Sequence, residues 1–277
     1  MLNLSMNLHG IIAHRLVFFL FFVLASCTTA PQIIDTVSSP VTDIQSAVIN
    51  LNIMNRSATI QPLAPESDLL FSALVGDVNT VTYSEVMSEQ AFIMLSDNPN
   101  VPSSNDWSIQ ATTAIPLAYV VDVTDGTLNA DLSLADLPRF DIVASNSTLD
   151  IDLPMSGFQL AVDASDSTSN FNIPTGAVIQ SSQLVSNGGL MTMTVAEGVS
   201  FAGTVASRSG GFTLNVPVTT GVQIIVSNSQ NSEISLPNAP RVPAEAISYS
   251  TDNFFQTDSQ IILQADLNGS AMRIIQE

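Results

Sequence analysis

Apolar and polar residues alternate along most of this chain. Between Ala47 and Asp97 the segments AVINLNI, SATIQPL, LLFSALV, TVTYSEV and QAFIMLS show the period of strands with one buried face. The short polar stretches MNRS and GDVN separate them as turns. A helical period is confined to one weak stretch from Tyr83 to Met94. NPNVPSSND (Asn98 to Asp106) is a Pro/Asn/Ser loop, and the expected domain boundary lies there.

Beyond that loop the alternation repeats. Turn residues fall at Gly126, Ser147, Thr168, Gly189, Gly210 and Asn231, each 21 apart. Strand stops fall at Ser133, Pro154, Pro174, Ala196, Pro217 and Pro237. Between turn and stop lie apolar sets such as Leu128/Ala130/Leu132, Leu149/Ile151/Leu153 and Phe212/Leu214/Val216, and a second set follows some stops, as in Phe158/Leu160/Val162. Two architectures fit: a β-solenoid with one unit per coil, or an antiparallel meander with one hairpin per unit. Constant unit length favours the solenoid, because coils must match in perimeter to stack. The expected fold is therefore all-β, a β-solenoid of roughly 21-residue repeats over residues 106–277. A small N-terminal β domain over residues 47–105 precedes it.

Composition changes the picture at the N-terminus. An unbroken apolar run from Leu16 to Ala25 has the length of a signal-peptide core and is short for a bilayer span. It ends in Leu24-Ala25-Ser26-Cys27, which resembles the bacterial lipoprotein signal: an aliphatic residue, two small residues and the acceptor thiol. Residues 1–26 then read as a lipoprotein signal peptide and 27–46, rich in Thr, Ser and Pro, as a lipidated tether. Two acyl chains on Cys27 meet the two-signal condition for stable membrane anchoring. Cys27 is the only cysteine, so no internal disulfide can form.

Removing that segment takes away both histidines and Arg15, leaving five arginines against 25 acidic residues and a net charge of −20. Such a balance repels phosphate backbones, so nucleic acid is a poor partner, and anionic headgroups would not attract the chain either.

The same removal strips out most chemistry. Without histidine, lysine or a free thiol there is no Ser–His or Cys–His relay and no zinc site of the usual kind. Gly188-Gly189 and Gly210-Gly211 sit at repeat turns and form no phosphate loop. Paired carboxylates remain. Asp150 and Asp152, two apart on a strand, would point outward together as a solvated face or, less simply, as an acid/base pair. Oxygen ligands for calcium are plentiful at Asp122, Asp125, Asp131, Asp163 and Asp166, though none lies in an EF-hand or nonapeptide calcium motif. No catalytic residue, metal or cofactor is assigned. Trp107 reads as a core plug at the domain junction.

Residues Asp106 to Pro154 resemble the opening of the bacterial toast-rack domain: Trp107, Pro116-Leu117, Leu128, Leu132, Leu149 and Leu153 occupy its pattern. SATIQPLAPESDLLFSALVGD before them and ISYSTDNFFQTDSQIILQADLNGSAMRI at the end are similar to its flanks. Its turns often read Gly-Ala-Gly, whereas here they read Asp125-Gly126-Thr127 and Asn146-Ser147-Thr148. The resemblance implies an envelope-associated, adhesin-like β-solenoid, related in shape to domains of cell-wall stress-response proteins, with no established reaction. The expected function is a lipid-anchored, exported, non-enzymatic surface protein on the extracytoplasmic side of the cell membrane or outer membrane. It would act as an adhesin-like protein or envelope scaffold, its partners the membrane through Cys27 and an envelope protein or glycan. The alternative is a sensory, partner-binding module of an envelope stress response.

Overall fold

The computed structural model describes residues 35–277 except 41–42, 76–80, 98–105, 238–241 and 244–247. The signal and acceptor residues Leu24, Ala25, Ser26 and Cys27 lie outside the described residues. The chain first lays down β1 (Asp35–Pro40), β2 (Ser46–Met54), β3 (Ser57–Pro62), β4 (Leu69–Val75), β5 (Val81–Met87), β6 (Gln90–Ser96) and β7 (Trp107–Ala111). A regular run follows: β8 (Leu117–Thr124), β9 (Thr127–Asp131), β10 (Arg139–Ser145), β11 (Thr148–Asp152), β12 (Gly157–Ser165) and β13 (Thr168–Ile173). It continues through β14 (Val178–Asn187), β15 (Leu190–Val195), β16 (Phe201–Arg208) and β17 (Gly211–Val216). The last strands are β18 (Thr220–Gln230), β19 (Glu233–Ser235), β20 (Val242–Pro243), β21 (Ser248–Ser250), β22 (Ser259–Asn268) and β23 (Ala271–Gln276).

These strands make two sheets. Sheet A runs β1-β4-β7-β3-β9-β11-β13-β15-β17-β23-β19-β20, and sheet B runs β21-β18-β22-β16-β14-β12-β10-β8-β2-β6-β5. Equivalent strands pair in parallel, β8 with β10 and β9 with β11 for example, so each unit is a coil and not a hairpin. Every coil has two strands, one per sheet, joined by a tight corner and a looser return. Inward residues alternate with outward ones, as in the buried pattern of Phe158, Leu160, Val162 and Ala164 along β12, and bulges interrupt the alternation in β14 and β18. Facing sheets about 10 Å apart interdigitate them into one core cluster from Ile44 to Ile274.

The corner is where the repeat is enforced. One residue takes the left-handed conformation: Asn55, Asp125, Asn146, Asp166, Gly188, Ser209, Asn231 and Gly269 all have φ between 49 and 78°. Asn, Asp and Gly tolerate that region best. The next residue lies against its counterpart in the neighbouring coil. A Cβ added at Gly189 would sit 2.0 Å from the Ser167 carbonyl oxygen, and one at Gly210 would sit 2.4 Å from that of Gly189. Where serine takes this place its hydroxyl joins the column: Ser147 Oγ donates to the Ser145 carbonyl at 2.7 Å and accepts from Gly126 N–H at 3.3 Å. From Asp125 to Asn231 the left-handed residues follow at intervals of 20 to 22, so the even 21 of the sequence is an average, and Thr168 starts β13 while Asp166 makes the turn.

Both ends depart from sequential stacking. The coil β6/β7 lies outside β2/β3, and β22/β23 is inserted between β16/β17 and β18/β19. Antiparallel strands finish the edges: β1, β4 and β5 at one end, β20 and β21 at the other. They cover ladder groups that would otherwise recruit foreign strands. The expected boundary near residue 105 does not separate the sheets, because β2 pairs with β8 and β3 with β9, and Asp35–Glu277 is one compact unit. The weakly helical stretch from Tyr83 to Met94 is the β5–β6 hairpin; the turn at Ser88 and Glu89, both at positive φ, reverses the chain before a helix could form.

Candidate functional site

The outward face of sheet A is a regular polar surface. Parallel register brings equivalent side chains into rows. Thr127, Thr148 and Thr168 form one; Asn129, Asp150, Asn170, Thr192 and Thr213 form the next; Asp131, Asp152, Asn172, Thr194 and Asn215 form a third. Strand geometry sets neighbours about 4.8 Å apart across coils and about 6.6 Å apart along a strand. Side-chain bonds tie the third row together. Asn172 Nδ2 donates to Asp152 Oδ1 at 2.8 Å, and Asn215 Nδ2 donates to Thr194 Oγ1 at 3.2 Å.

At the N-terminal side these rows frame a shallow groove of about 170 Å³, lined by Thr59, Gln61, Asn129, Asp131, Asp150 and Asp152. Asp150 and Asp152 do point outward together, as their spacing predicts. Asp131 joins them from the adjacent coil, directly beside Asp152. Such a face offers carboxylate and amide oxygens and amide N–H groups in fixed planes, suited to hydroxyl groups or to cations. No aromatic side chain stands among the outward positions of β9, β11, β13, β15 and β17.

The other calcium candidates scatter. Asp125 and Asp166 occupy corners, and Asn146 Nδ2 donates to Asp125 Oδ1 at 2.6 Å. Asp122 and Asp163 lie on sheet B with Val143 between them in register. Among the described residues no group of three or more His, Cys, Asp or Glu side chains is arranged to hold a metal ion.

Trp107 is buried on β7, as its isolation suggested, and it has company that sequence reasoning missed. The Arg56 guanidinium lies 5.0 Å over its ring. Arg56 Nη2 also meets Asp97 Oδ1 at 2.5 Å, with only 3% and 4% of the two side chains exposed. Asp97 Oδ2 accepts from Met54 N–H at 2.8 Å. This ion pair fills the corner column where later coils place Gly or Ser. Its members are 41 residues apart, and only the likeness of Asn55-Arg56-Ser57 to the later corner tripeptides could have announced it. Among the described residues Tyr119 is a further buried titratable group, and burial pushes its phenol well above the ordinary tyrosine range.

No family model matches the chain, and no curated protein matches it in sequence. Two crystal structures resemble the fold. One is of a candidate cell adhesion protein from Clostridium sporogenes ATCC 15579, 12% identical, with 88% of this chain and 99% of that chain covered at a TM-score of 0.42. The other is of a candidate adhesin from Bacteroides fragilis NCTC 9343, 11% identical, with 88% and 98% covered at a TM-score of 0.38.

Proposed function

We propose that the chain is a lipid-anchored, exported, non-enzymatic envelope protein of the toast-rack type, adhesin-like, which presents the outward face of sheet A to an envelope glycan or protein. The observation that carries this reading is the register of the polar rows. Threonine, asparagine and aspartate repeat at coil spacing on a rigid two-sheet support, and no member needs to move to meet a hydroxyl-rich ligand. A chain with a net charge near −20 and no lysine favours neutral or cationic partners over phosphorylated ones. Cys27, carrying the diacylglyceryl group, would hold it on the extracytoplasmic side of the cell membrane or outer membrane, with Leu24, Ala25 and Ser26 as the peptidase motif.

Two experiments test the reading. Labelling cells with an alkyne fatty acid should mark the protein and fail to mark Cys27→Ala; equal labelling of both refutes the anchor. For the face, the mature Cys27→Ala protein is presented to arrayed envelope glycans, beside a variant with Asp131, Asp150 and Asp152 all changed to Asn. Binding that falls at least tenfold in the variant, with unchanged folding, supports the site. Binding that ignores the three substitutions, or turnover of the glycan, overturns it.

A further inference from the structure

The C-terminal end stacks its coils out of sequence, and the connection responsible is the shortest one. Neighbouring coils are joined by seven residues at 132–138, by four at 153–156 and 174–177 and by five at 196–200. At the other end the five residues 112–116 between β7 and β8 step over β2/β3; here only three, Pro217 to Thr219, link β17 to β18, yet they too step over a coil. That step is about 9.6 Å, against about 4.8 Å between neighbours. The coil stepped over is β22/β23, which the chain reaches later through the 23 residues 236–258.

The interior does not dictate this order. In register, Val222, Ile224 and Val226 of β18 match Ile261, Leu263 and Ala265 of β22. The same β22 residues face Phe201, Gly203 and Val205 of β16. Removing β22 would set β18 against β16 with apolar residues still on the inner face and β19 against β17. The left-handed corner Asn231 follows Ser209 by 22 residues, an interval also found between Asp166 and Gly188 in adjacent coils. What holds the observed order is local. Asn253 Nδ2 donates to the Val218 carbonyl at 2.7 Å, and Gln276 Nε2, on the inserted β23, donates to the Thr220 carbonyl at 2.7 Å. Gln276 Nε2 also reaches Asn253 Oδ1 at 3.2 Å. Side-chain amides thus hold the stretched link at its middle and where it enters β18.

We propose that the chain has two coil orders. In the sequential order β18/β19 stacks directly on β16/β17; in the order observed, the C-terminal coil β22/β23 has inserted between them, and Asn253 and Gln276 latch it. Short connections close first, because closing a three-residue link costs less chain entropy than closing a 23-residue one. The sequential order therefore forms early and insertion converts it. The inserted order gains ladders on both sides of β22 and β23 and buries Ile261, Leu263, Leu267, Met272 and Ile274.

Cysteine pairs in the full chain carrying Cys27→Ala distinguish the two. Thr204 is in register with Gln264, which is in register with Ile225. Thr204→Cys with Gln264→Cys reports insertion. Thr204→Cys with Ile225→Cys reports the sequential order, because two strands, about 9.6 Å, exceed the roughly 7 Å that a disulfide spans. Thr204→Cys with Ala161→Cys, two strands away on the other side, is the background control. The chains refold from denaturant and are oxidised at successive delays. The expected result is early cross-linking of the 204/225 pair, at least fivefold over the control, declining as the 204/264 pair appears. Cross-linking of 204/264 from the first pulse, with 204/225 never above the control, overturns the proposal. Where cysteine variants do not fold, pulsed hydrogen exchange on the unsubstituted chain decides: protection of β18 must precede that of β22 and β23, and simultaneous or reversed protection refutes the two orders.

Discussion

Removing the carboxylate of Asp97 should be among the most damaging single changes in the protein. Its partner Arg56 is 3% exposed, and the two meet at 2.5 Å with the guanidinium over Trp107. Asp97→Ala deletes a counter-charge in a site closed to water and takes the acceptor from Met54 N–H. Truncating one member of a buried pair typically costs about 3–5 kcal/mol. In a unit of this size each kcal/mol lowers Tm by about 2–4 °C, so the loss should be about 6–20 °C. Replacing both members with apolar residues of similar volume, Arg56→Met with Asp97→Leu, should recover most of that stability or exceed the wild type, because the desolvation cost of both charges disappears. Trp107 is the sole tryptophan and packs on the pair, so its emission during urea unfolding reads the site directly. A single variant that loses under about 1 kcal/mol, or a double variant less stable than the single, would refute the claim that burial makes this pair interdependent.

Two further predictions probe the corner and the core. Gly189→Ala should cost more than about 3 kcal/mol by denaturant unfolding, because the new methyl meets backbone on the neighbouring coil, with the Ser167 carbonyl oxygen 2.0 Å away and its nitrogen 2.6 Å away. Gly198→Ala, with φ +82° but nothing within 4 Å, should cost only about 1–2 kcal/mol; equal losses at the two sites would contradict the stacked-corner account. Tyr119 should stay protonated in the folded protein past the pH at which unfolded tyrosine ionises, about 10. The folded state then binds the extra proton, so stability is full below about pH 10 and falls as pH rises above it; tyrosinate absorbance that follows unfolding confirms this, and ionisation of Tyr119 near its ordinary value without unfolding rejects it.

The regular part of the fold was legible because a solenoid writes its geometry into the chain locally. Each regular coil repeats one left-handed corner, one small residue packed against the neighbouring coil and two alternating strands, so Gly126, Ser147, Gly189 and Gly210 are legible without knowledge of their neighbours. The ends were not legible for the opposite reason. Which coil lies beside which depends on pairings between distant segments, and the interval from Ser209 to Asn231 looks the same whether or not β22/β23 lies between. The Pro/Asn/Ser composition of 98–106 marks a loop and not a domain boundary, because Asn55-Arg56-Ser57 already carries the corner and puts β2 and β3 into the stack. At the candidate face, Asp150 and Asp152 were visible as a pair on one strand. Asp131 was not grouped with them, since that neighbourhood exists only once register is known.

Charge placement separates the two faces. On sheet B the row through Asn52, Asp122, Val143, Asp163, Val185 and Ala206 never puts carboxylates on adjacent coils. Asp122 and Asp163 are thereby about 9.6 Å apart, beyond the Debye length of about 8 Å at physiological salt. Asp141, flanked in its own row by Val120 and Ala161, is paired with Arg139. Sheet A breaks this spacing at one place. Asp131 and Asp152 stand side by side at about 4.8 Å with Asp150 one position along, and like charges directly opposite in a ladder are destabilising. Elsewhere in the same rows asparagine and threonine take the equivalent positions, so the backbone does not require aspartate there. Local hydrogen bonds offset part of the cost of this crowding: Asp131 Oδ1 accepts from Ser133 N–H at 3.1 Å and from its hydroxyl at 2.6 Å, and Asp152 Oδ1 accepts from Asn172 Nδ2 at 2.8 Å. Under the proposed reading, a ligand bearing hydroxyl or cationic groups at that groove would offset the remaining repulsion, and the Asp131/Asp150/Asp152→Asn variant should then gain stability as it loses binding.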